Sequence, residues 1–129
     1  MPENILDLDI LRPAKKSVKL NGKTIDVSFI PTGITFDIDE IIKEMGKMDM
    51  EKVQTGGPEA KKAFDLSVEL CACFCSCQYP EMNKSWLLNN TDVVQISKLV
   101  DKIKKLLTLA YAGAEEYGKN ELPTESKKS

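Results

Sequence analysis

The dipeptide Asn21-Gly22 restricts the fold of this chain more than any other feature of its sequence. It lies between two short runs in which apolar and polar residues alternate. Asn-Gly supplies the two residues with positive φ that a type I′ turn requires, and alternation is typical of strands with one buried face. The sequence therefore predicts a β-hairpin with a two-residue turn that places Leu20 opposite Lys23.

The same register, which places Val18 opposite Ile25, divides the hairpin into two faces. The apolar face holds Val18, Leu20, Ile25, Val27 and Phe29, and the polar face holds Lys19, Thr24, Asp26 and Ser28. A two-stranded ribbon alone is marginally stable in water and leaves its edges unpaired. We therefore expect the helices that follow, or another chain, to cover it.

A first helix is predicted from about residue 38 to residue 48. Asp37 and Glu40 have the spacing of a capping box at its start. Phe36 and Ile41 flank this box at the positions of a hydrophobic staple. This pattern makes Asp37 the expected N-cap of the helix.

The segment from Pro58 to Pro80 contains no helix breaker and includes every cysteine of the chain. Gly56-Gly57 interrupts the chain before it, and Pro58 suits the first position of a helix. On a helical wheel its apolar side chains occupy most of the circumference, which is typical of a buried central helix. One apolar stripe holds Phe64, Val68, Cys71 and Cys75, and another holds Leu66, Leu70, Cys73 and Cys77.

The last part of the chain combines a short segment around Trp86 with a long two-sided helix. Thr91 or Asp92 is expected to cap this helix, the latter with Gln95 three positions further on. From residue 93 to about residue 113, apolar side chains follow one face and polar side chains follow the other. The polar sequence after Gly118 is typical of a chain end that does not order itself.

These elements predict a mainly α protein of the α+β class. An N-terminal β-hairpin is followed by three to four helices around a buried central helix, in a single domain over residues 17–113. Residues 1–16, in which no period is sustained, are expected to form an N-terminal arm, and residues 114–129 a flexible C-terminal tail. A chain of 129 residues, of which 42% are hydrophobic, suffices for one core of this kind.

The charge of the chain argues against a polyanionic partner. Its 18 basic and 20 acidic residues give a formal charge of −2, without a long block of either sign. The last helix carries a modest basic patch that is typical of a solvated face, namely Lys98, Lys102, Lys104 and Lys105. The first residues lack the pattern of a secretory signal, and no apolar run approaches the ~20 residues of a membrane span. We expect a cytoplasmic protein with no nucleic-acid or membrane partner.

The cysteines stand at four alternate positions, Cys71, Cys73, Cys75 and Cys77. In a helix, the first and third of them lie about 160° around the axis from the second and fourth, so the four thiols cannot meet at one ion. In a strand they line one face over about 20 Å, which is also too long for a tetrahedral site. Free cysteine is among the most buried residue types. We therefore expect four reduced, largely buried cysteines that pack the central helix.

The sequence contains no constellation that is typical of catalysis. The chain has no histidine, the commonest general base and nitrogen ligand. Gly56-Gly57 lacks the Lys and Ser or Thr of a phosphate-binding loop, and Trp86 suits the closing of a small core. The acidic residues Asp37, Asp39 and Glu40 fit helix capping better than a cation site. We expect no catalytic residue, no cofactor and no metal ligand.

The order of these parts resembles that of a known family. A lead that ends in Leu11-Arg12-Pro13 precedes a hairpin of the form Val18-Lys-Leu-Asn-Gly-Lys-x-x-x-Val27-x-Phe29. Helices, a connector with Trp86, a long last helix and a polar tail follow. This layout, over roughly residues 10–115, is similar to that of the small tail assembly chaperones of long-tailed bacteriophages and their prophage relatives.

The resemblance implies a non-enzymatic protein of the bacterial host cytoplasm. In that family the chaperone is thought to coat the long tape measure protein and to bring tail tube subunits to it. The resemblance therefore implies the tape measure protein and the tail tube protein as partners, and the uncovered hairpin adds a possible homo-oligomer. Two alternatives stay open, a structural or adaptor protein of a phage particle and a cysteine-based metal or redox module.

Overall fold

The computed structural model describes residues 5–48 and 56–119 of the chain, with side chains up to residue 112. Within these residues an antiparallel hairpin is followed by four helices, which confirms the mainly α form of the α+β class. The elements are a short 3₁₀ helix (Leu8–Leu11), β1 (Ser17–Leu20), β2 (Lys23–Asp26), α1 (Thr32–Gly46), α2 (Pro58–Cys75), α3 (Lys84–Asn90) and α4 (Val93–Lys119). In the same ranges, no helix combines the length and the apolar character that a membrane-spanning helix needs.

The hairpin has the predicted turn and register. Asn21 and Gly22 have φ of 49° and 82°, and Leu20 lies opposite Lys23. The apolar face is directed into the protein, since Leu20, Ile25 and Val27 are buried. The same core contains residues from α1, α2, α3 and α4, so the helices of this chain cover that face.

Ser28 lies in a different environment from the predicted one. The alternation places it on the polar face, yet only 4% of its surface is exposed. The end of the N-terminal arm passes over it, because the backbone N–H of Lys16 donates to Ser28 Oγ at 2.6 Å and the hydroxyl donates back to the Lys16 carbonyl at 3.2 Å. The arm is therefore joined to the domain at its last residue, where Val27 also donates its N–H to the Lys16 carbonyl at 2.8 Å.

Helix α1 begins six residues earlier than the capping box predicts. Pro31 is the N-cap, with φ −58° and ψ 143°, and its carbonyl accepts a hydrogen bond from the Thr35 hydroxyl at 3.0 Å. Asp37 therefore lies inside the helix and caps nothing at its start. Phe36 is 73% exposed, so the predicted staple does not form. Helix α1 therefore begins directly after Pro31, whose φ is fixed by its ring, and the Thr35 hydroxyl one turn later bonds to the Pro31 carbonyl. The acidic box has no part in this start.

Helix α2 is the central helix, as predicted. It begins at Pro58 and contacts α1, α3 and α4. Its buried residues are Val68, Leu70, Cys71, Phe74 and Cys75. Because α2 has helices on several sides, it needs apolar residues around most of its circumference. Its sequence therefore does not divide clearly into an apolar face and a polar face.

Helices α3 and α4 both begin with side-chain caps. Asn83 Oδ1 accepts the N–H of Trp86 at 2.9 Å at the start of α3. Asp92 and Gln95 form the predicted reciprocal box, with bonds of 2.8 and 2.9 Å between side chain and backbone. Of the predicted caps, this one is confirmed.

Helix α4 continues to Lys119, six residues beyond the predicted end at Gly113. A glycine inside a helix costs only about 1 kcal/mol relative to alanine, and the neighbouring alanines and glutamates favour the helix. The remainder of the predicted flexible tail, residues 120–129, lies outside the described residues, as do residues 1–4 of the predicted arm.

Candidate interaction surfaces

The two edges of the hairpin present outward-facing backbone groups. Val27 and Lys16 form a hydrogen-bonded pair, and such pairs alternate with non-hydrogen-bonded pairs in an antiparallel ladder. The outward groups therefore belong to Thr24 and Asp26 on β2 and to Ser17 and Lys19 on β1. An unpaired row of this kind is a template for another strand.

The edge of β2 is covered by one glutamine side chain. The Asp26 N–H donates to Gln78 Oε1 at 2.8 Å, and Gln78 Nε2 donates to the Asp26 carbonyl at 2.9 Å. The primary amide thus takes the place of a paired backbone unit, and we call these two bonds the Gln78 clasp. The two residues lie 52 positions apart in the chain, and no sequence pattern indicated the contact.

Neighbours of Gln78 extend the cover along β2. The Tyr79 hydroxyl donates to the Thr24 carbonyl at 2.9 Å. Lys23 Nζ lies 2.9 Å from Glu81 Oε2 and 5.0 Å from the centre of the Tyr79 ring. The hydrogen bond from Lys23 lowers the pKa of Glu81 below its ordinary value. The connector between α2 and α3 therefore closes this edge with side chains.

Removal of the clasp should weaken the attachment of the hairpin. We expect Gln78→Ala to lower the free energy of unfolding by about 1–2 kcal/mol, because two hydrogen bonds are lost. Deuterium exchange at the Asp26 amide should become faster. Urea unfolding and amide exchange by NMR measure the two effects. Asn89→Ala is the matched control, since the Asn89 amide bonds only to the Ser85 carbonyl of its own helix among the described residues. Equal exchange at Asp26 in both variants would contradict the clasp.

The edge of β1 remains open. Among the described residues, no hydrogen bond is formed by the outward backbone groups of Ser17 and Lys19. Beside this edge lies a groove of about 240 Å³, which we call the edge groove. It is lined by Val18, Lys19 and Leu20 of β1 and by Val94, Lys98 and Lys102 of α4, among others. Val94 is 65% exposed, so the groove combines apolar side chains with a basic rim.

A second groove lies at the other end of the hairpin. This base groove, of about 280 Å³, is lined mainly by apolar residues. They include Leu11, Pro13 and Ala14 of the arm, Phe29 and Ile30 after β2, and Leu109 of α4. The Arg12 guanidinium lies 4.4 Å from the centre of the Phe29 ring and holds the arm against this end of the hairpin. Leu109 is 67% exposed, which leaves the groove accessible.

The two grooves lie along the same face of α4. Residues three or four apart share a helix face, and Val94, Lys98, Lys102, Leu106 and Leu109 follow this spacing. Between the first and the last of them α4 rises by about 22 Å. The face is therefore long enough for several turns of a partner helix.

The cysteines are free but not equally buried. Cys71 and Cys75 are fully buried, Cys73 is half-buried and Cys77 is exposed. The expectation that all four are largely buried is wrong for Cys77, because α2 ends at Cys75 and the chain then runs over the surface. Within the described residues, no group of three or more cysteine, aspartate or glutamate side chains is arranged to hold a metal ion.

Burial makes the inner thiols weak acids. It raises the pKa of Cys75 to about 12 and raises the pKa of Cys71 further. The Cys71 Sγ lies 3.9 Å from the Ile96 carbonyl of α4, so this thiol packs between helices. Burial, with Asp37 as a second cause, also raises the pKa of Cys73. Since the thiolate is the reactive form, these positions favour packing over chemistry.

The remaining predicted positions are dispersed. Asp37, Glu40 and Glu69 line an open cleft beside Cys73, whereas Asp39 is paired with Lys43 at 3.0 Å. Trp86 is half-buried against the core, in agreement with its predicted packing role. The predicted basic patch is divided, because Lys98 and Lys102 line the edge groove and Lys104 lines a pocket on another side of α4.

Comparisons with protein-family models, curated proteins and solved structures give no match for this chain.

Proposed function

We propose that this chain is a non-enzymatic tail assembly chaperone of the long-tailed phage type. In this role it binds the tape measure protein in the cytoplasm of the bacterial host and brings tail tube subunits to it. The order of the parts supports the proposal, and the observation that carries it is the base groove with its exposed Leu109. We propose that the part of the tape measure protein, the client, that binds in this groove is an amphipathic helix.

The shape and chemistry of the base groove suit such a helix. Lys16 is the one charged residue of its lining, and the other side chains are apolar except for Ser28. The groove is continuous with the exposed face of α4, so a client helix can place residues spaced by three and four into it. A large apolar side chain that is 67% exposed in a groove loses water on binding and thereby stabilises a complex.

The proposal predicts that this chain keeps a tape measure fragment soluble during co-expression. Leu109→Asp should abolish this effect, because a charge in an apolar groove opposes burial. Ser97→Asp is the matched control, since Ser97 is exposed on the same helix and lines neither groove. The measurement is the soluble fraction of the fragment together with recovery of the complex.

The result of this experiment, together with the composition of the phage particle and the metal content of the protein, distinguishes the candidate functions. Loss of the effect in Leu109→Asp alone supports the base groove as the client site. No gain in solubility with the unmodified chain contradicts the proposed function. Presence of the chain in finished phage particles would favour a structural or adaptor protein, and stoichiometric metal after reducing purification would favour the cysteine-based module.

A further inference from the structure

We propose that the edge groove binds the N-terminal arm of a second copy of this chain, which adds a strand to the open edge of β1. The inference goes beyond the proposed function, because it concerns contacts between copies and needs no tape measure protein. It is based on the exposed arm, the open edge, the opposite charges of the two and the position of the arm within its own chain.

The arm has the pattern of an edge strand without a partner. The arm as a whole sustains no period, but over the five residues from Leu6 to Ile10 apolar and acidic residues alternate, which is the period of a strand with one apolar face. Leu6, Leu8 and Ile10 are 43%, 59% and 60% exposed. The 3₁₀ helix formed by part of this segment buries none of its residues, so little packing is lost when it becomes extended.

The edge groove offers what such a strand lacks. The outward backbone groups of Ser17 and Lys19 can form the ladder bonds, in the manner of a peptide that adds to a sheet edge. Beside them, the half-buried Val18 and the exposed Val94 offer an apolar surface for alternate side chains. The lining includes no acidic residue.

The charges of the arm and the groove are complementary. Asp7 and Asp9 occupy the polar positions of the alternating segment. In an added strand whose apolar side chains face Val94, these two carboxylates lie on the opposite face, the one that carries Lys19, and Lys98 and Lys102 border the groove on the side of α4. Opposite charges of this kind accelerate association and select the partner, and their effect weakens as salt shortens the screening length to about 10 Å at 0.1 M. Self-association should therefore weaken with added salt.

The arm is held away from the edge groove of its own chain. Arg12 stacks on Phe29, and the Lys16 backbone bonds to Ser28, at the base of the hairpin. Leu11 and Pro13 line the base groove, whereas the edge groove lies further toward the N-terminus of α4. For residues 5–10 to reach their own β1 edge, the chain would have to reverse across the segment that makes these contacts. A second copy can supply the same arm without breaking them.

Two variants test the contributions of the arm and of the edge groove separately. Leu8→Asp places a charge on the apolar face of the arm, and Val94→Asp places one in the groove. Both positions are exposed, and an acid in the first turn of α4 favours the helix, so both variants should fold. Ile5→Asp and Val93→Asp are matched controls, because Ile5 lies in register with the acidic positions and Val93 is absent from the groove lining.

Sedimentation velocity of the full chain over a wide concentration range tests the proposal. The unmodified chain and both controls should associate. Leu8→Asp and Val94→Asp should each associate at least about tenfold more weakly, as expected for a central contact residue. A mixture of these two variants should form a dimer, because one supplies an intact arm and the other an intact groove.

Other results would overturn the proposal. An unmodified chain that is monomeric at every concentration would mean that the arm binds no second copy, and protection of the Lys19 amide in that monomer would show that the arm closes on its own edge. Association of Leu8→Asp and Val94→Asp at the level of the unmodified chain would exclude the arm and the groove as the contact. Failure of the mixture to associate would exclude their pairing with each other.

Discussion

Replacement of Phe74 with alanine is expected to lower the free energy of unfolding by about 3–5 kcal/mol. Phe74 lies on the central helix with 1% of its surface exposed. The change removes an aromatic ring from the core and leaves a cavity that the neighbouring helices cannot fully close. Because domains of this size are stable by only about 5–15 kcal/mol, the variant should be close to the limit of folding.

Phe36→Ala is the matched control for this experiment. Phe36 is the same residue type in a helix but is 73% exposed, and alanine has the higher helix propensity. We expect a change within about 0.5 kcal/mol for an exposed position of this kind. Urea unfolding followed by circular dichroism measures both variants. Equal destabilisation of the two would contradict the placement of α2 at the centre of the core.

The four cysteines should divide into three classes when the native protein reacts with an alkylating reagent. Cys77 is exposed and should react first, Cys73 is half-buried and should react more slowly, and Cys71 and Cys75 should react last. With the pKa of Cys75 raised to about 12, only about one thiol in 10⁴ is ionised at pH 8. Reaction of the two buried thiols also needs the helices to open, so we expect rates at least about 10³-fold below that of Cys77.

Mass spectrometry of peptides after timed labelling measures these rates one cysteine at a time. The variant Cys77→Ser should lose the fast phase and keep the slow ones. In denaturant, where burial no longer protects any of them, all four should react at similar rates. Fast labelling of Cys71 or Cys75 in the native protein would contradict their burial.

The sequence was most informative where a local rule had no competitor. Asn21-Gly22 determined both the turn and the register of the hairpin, since few other dipeptides adopt that backbone readily. The box of Asp92 and Gln95 was found for the same reason. At α1 two local rules competed, and Pro31 started the helix before the acidic box was reached. Sequence spacing alone does not decide between two such starts.

Contacts between distant parts of the chain were beyond the reach of pattern reasoning. The Gln78 clasp joins a connector to a strand through a side chain that imitates a backbone, and an isolated glutamine carries no periodic signal. The base groove is formed by the arm, the hairpin and α4 together. The cysteines show a further limit of pattern reasoning. A helical wheel drawn through all four positions assumes that the helix continues past Cys75, but α2 ends there.

The clasp has a consequence for the symmetry of anything built from this hairpin. One edge is closed by the chain itself and the other is open, so a strand can join the sheet from one side alone. In the proposed contact the arm of one copy meets the β1 edge of the next, and these are unlike surfaces. Copies linked in this way in one direction are related head to tail, and a row of them that does not close into a ring has two unlike ends. Such a row has a polarity, because every copy in it has the same orientation along the row.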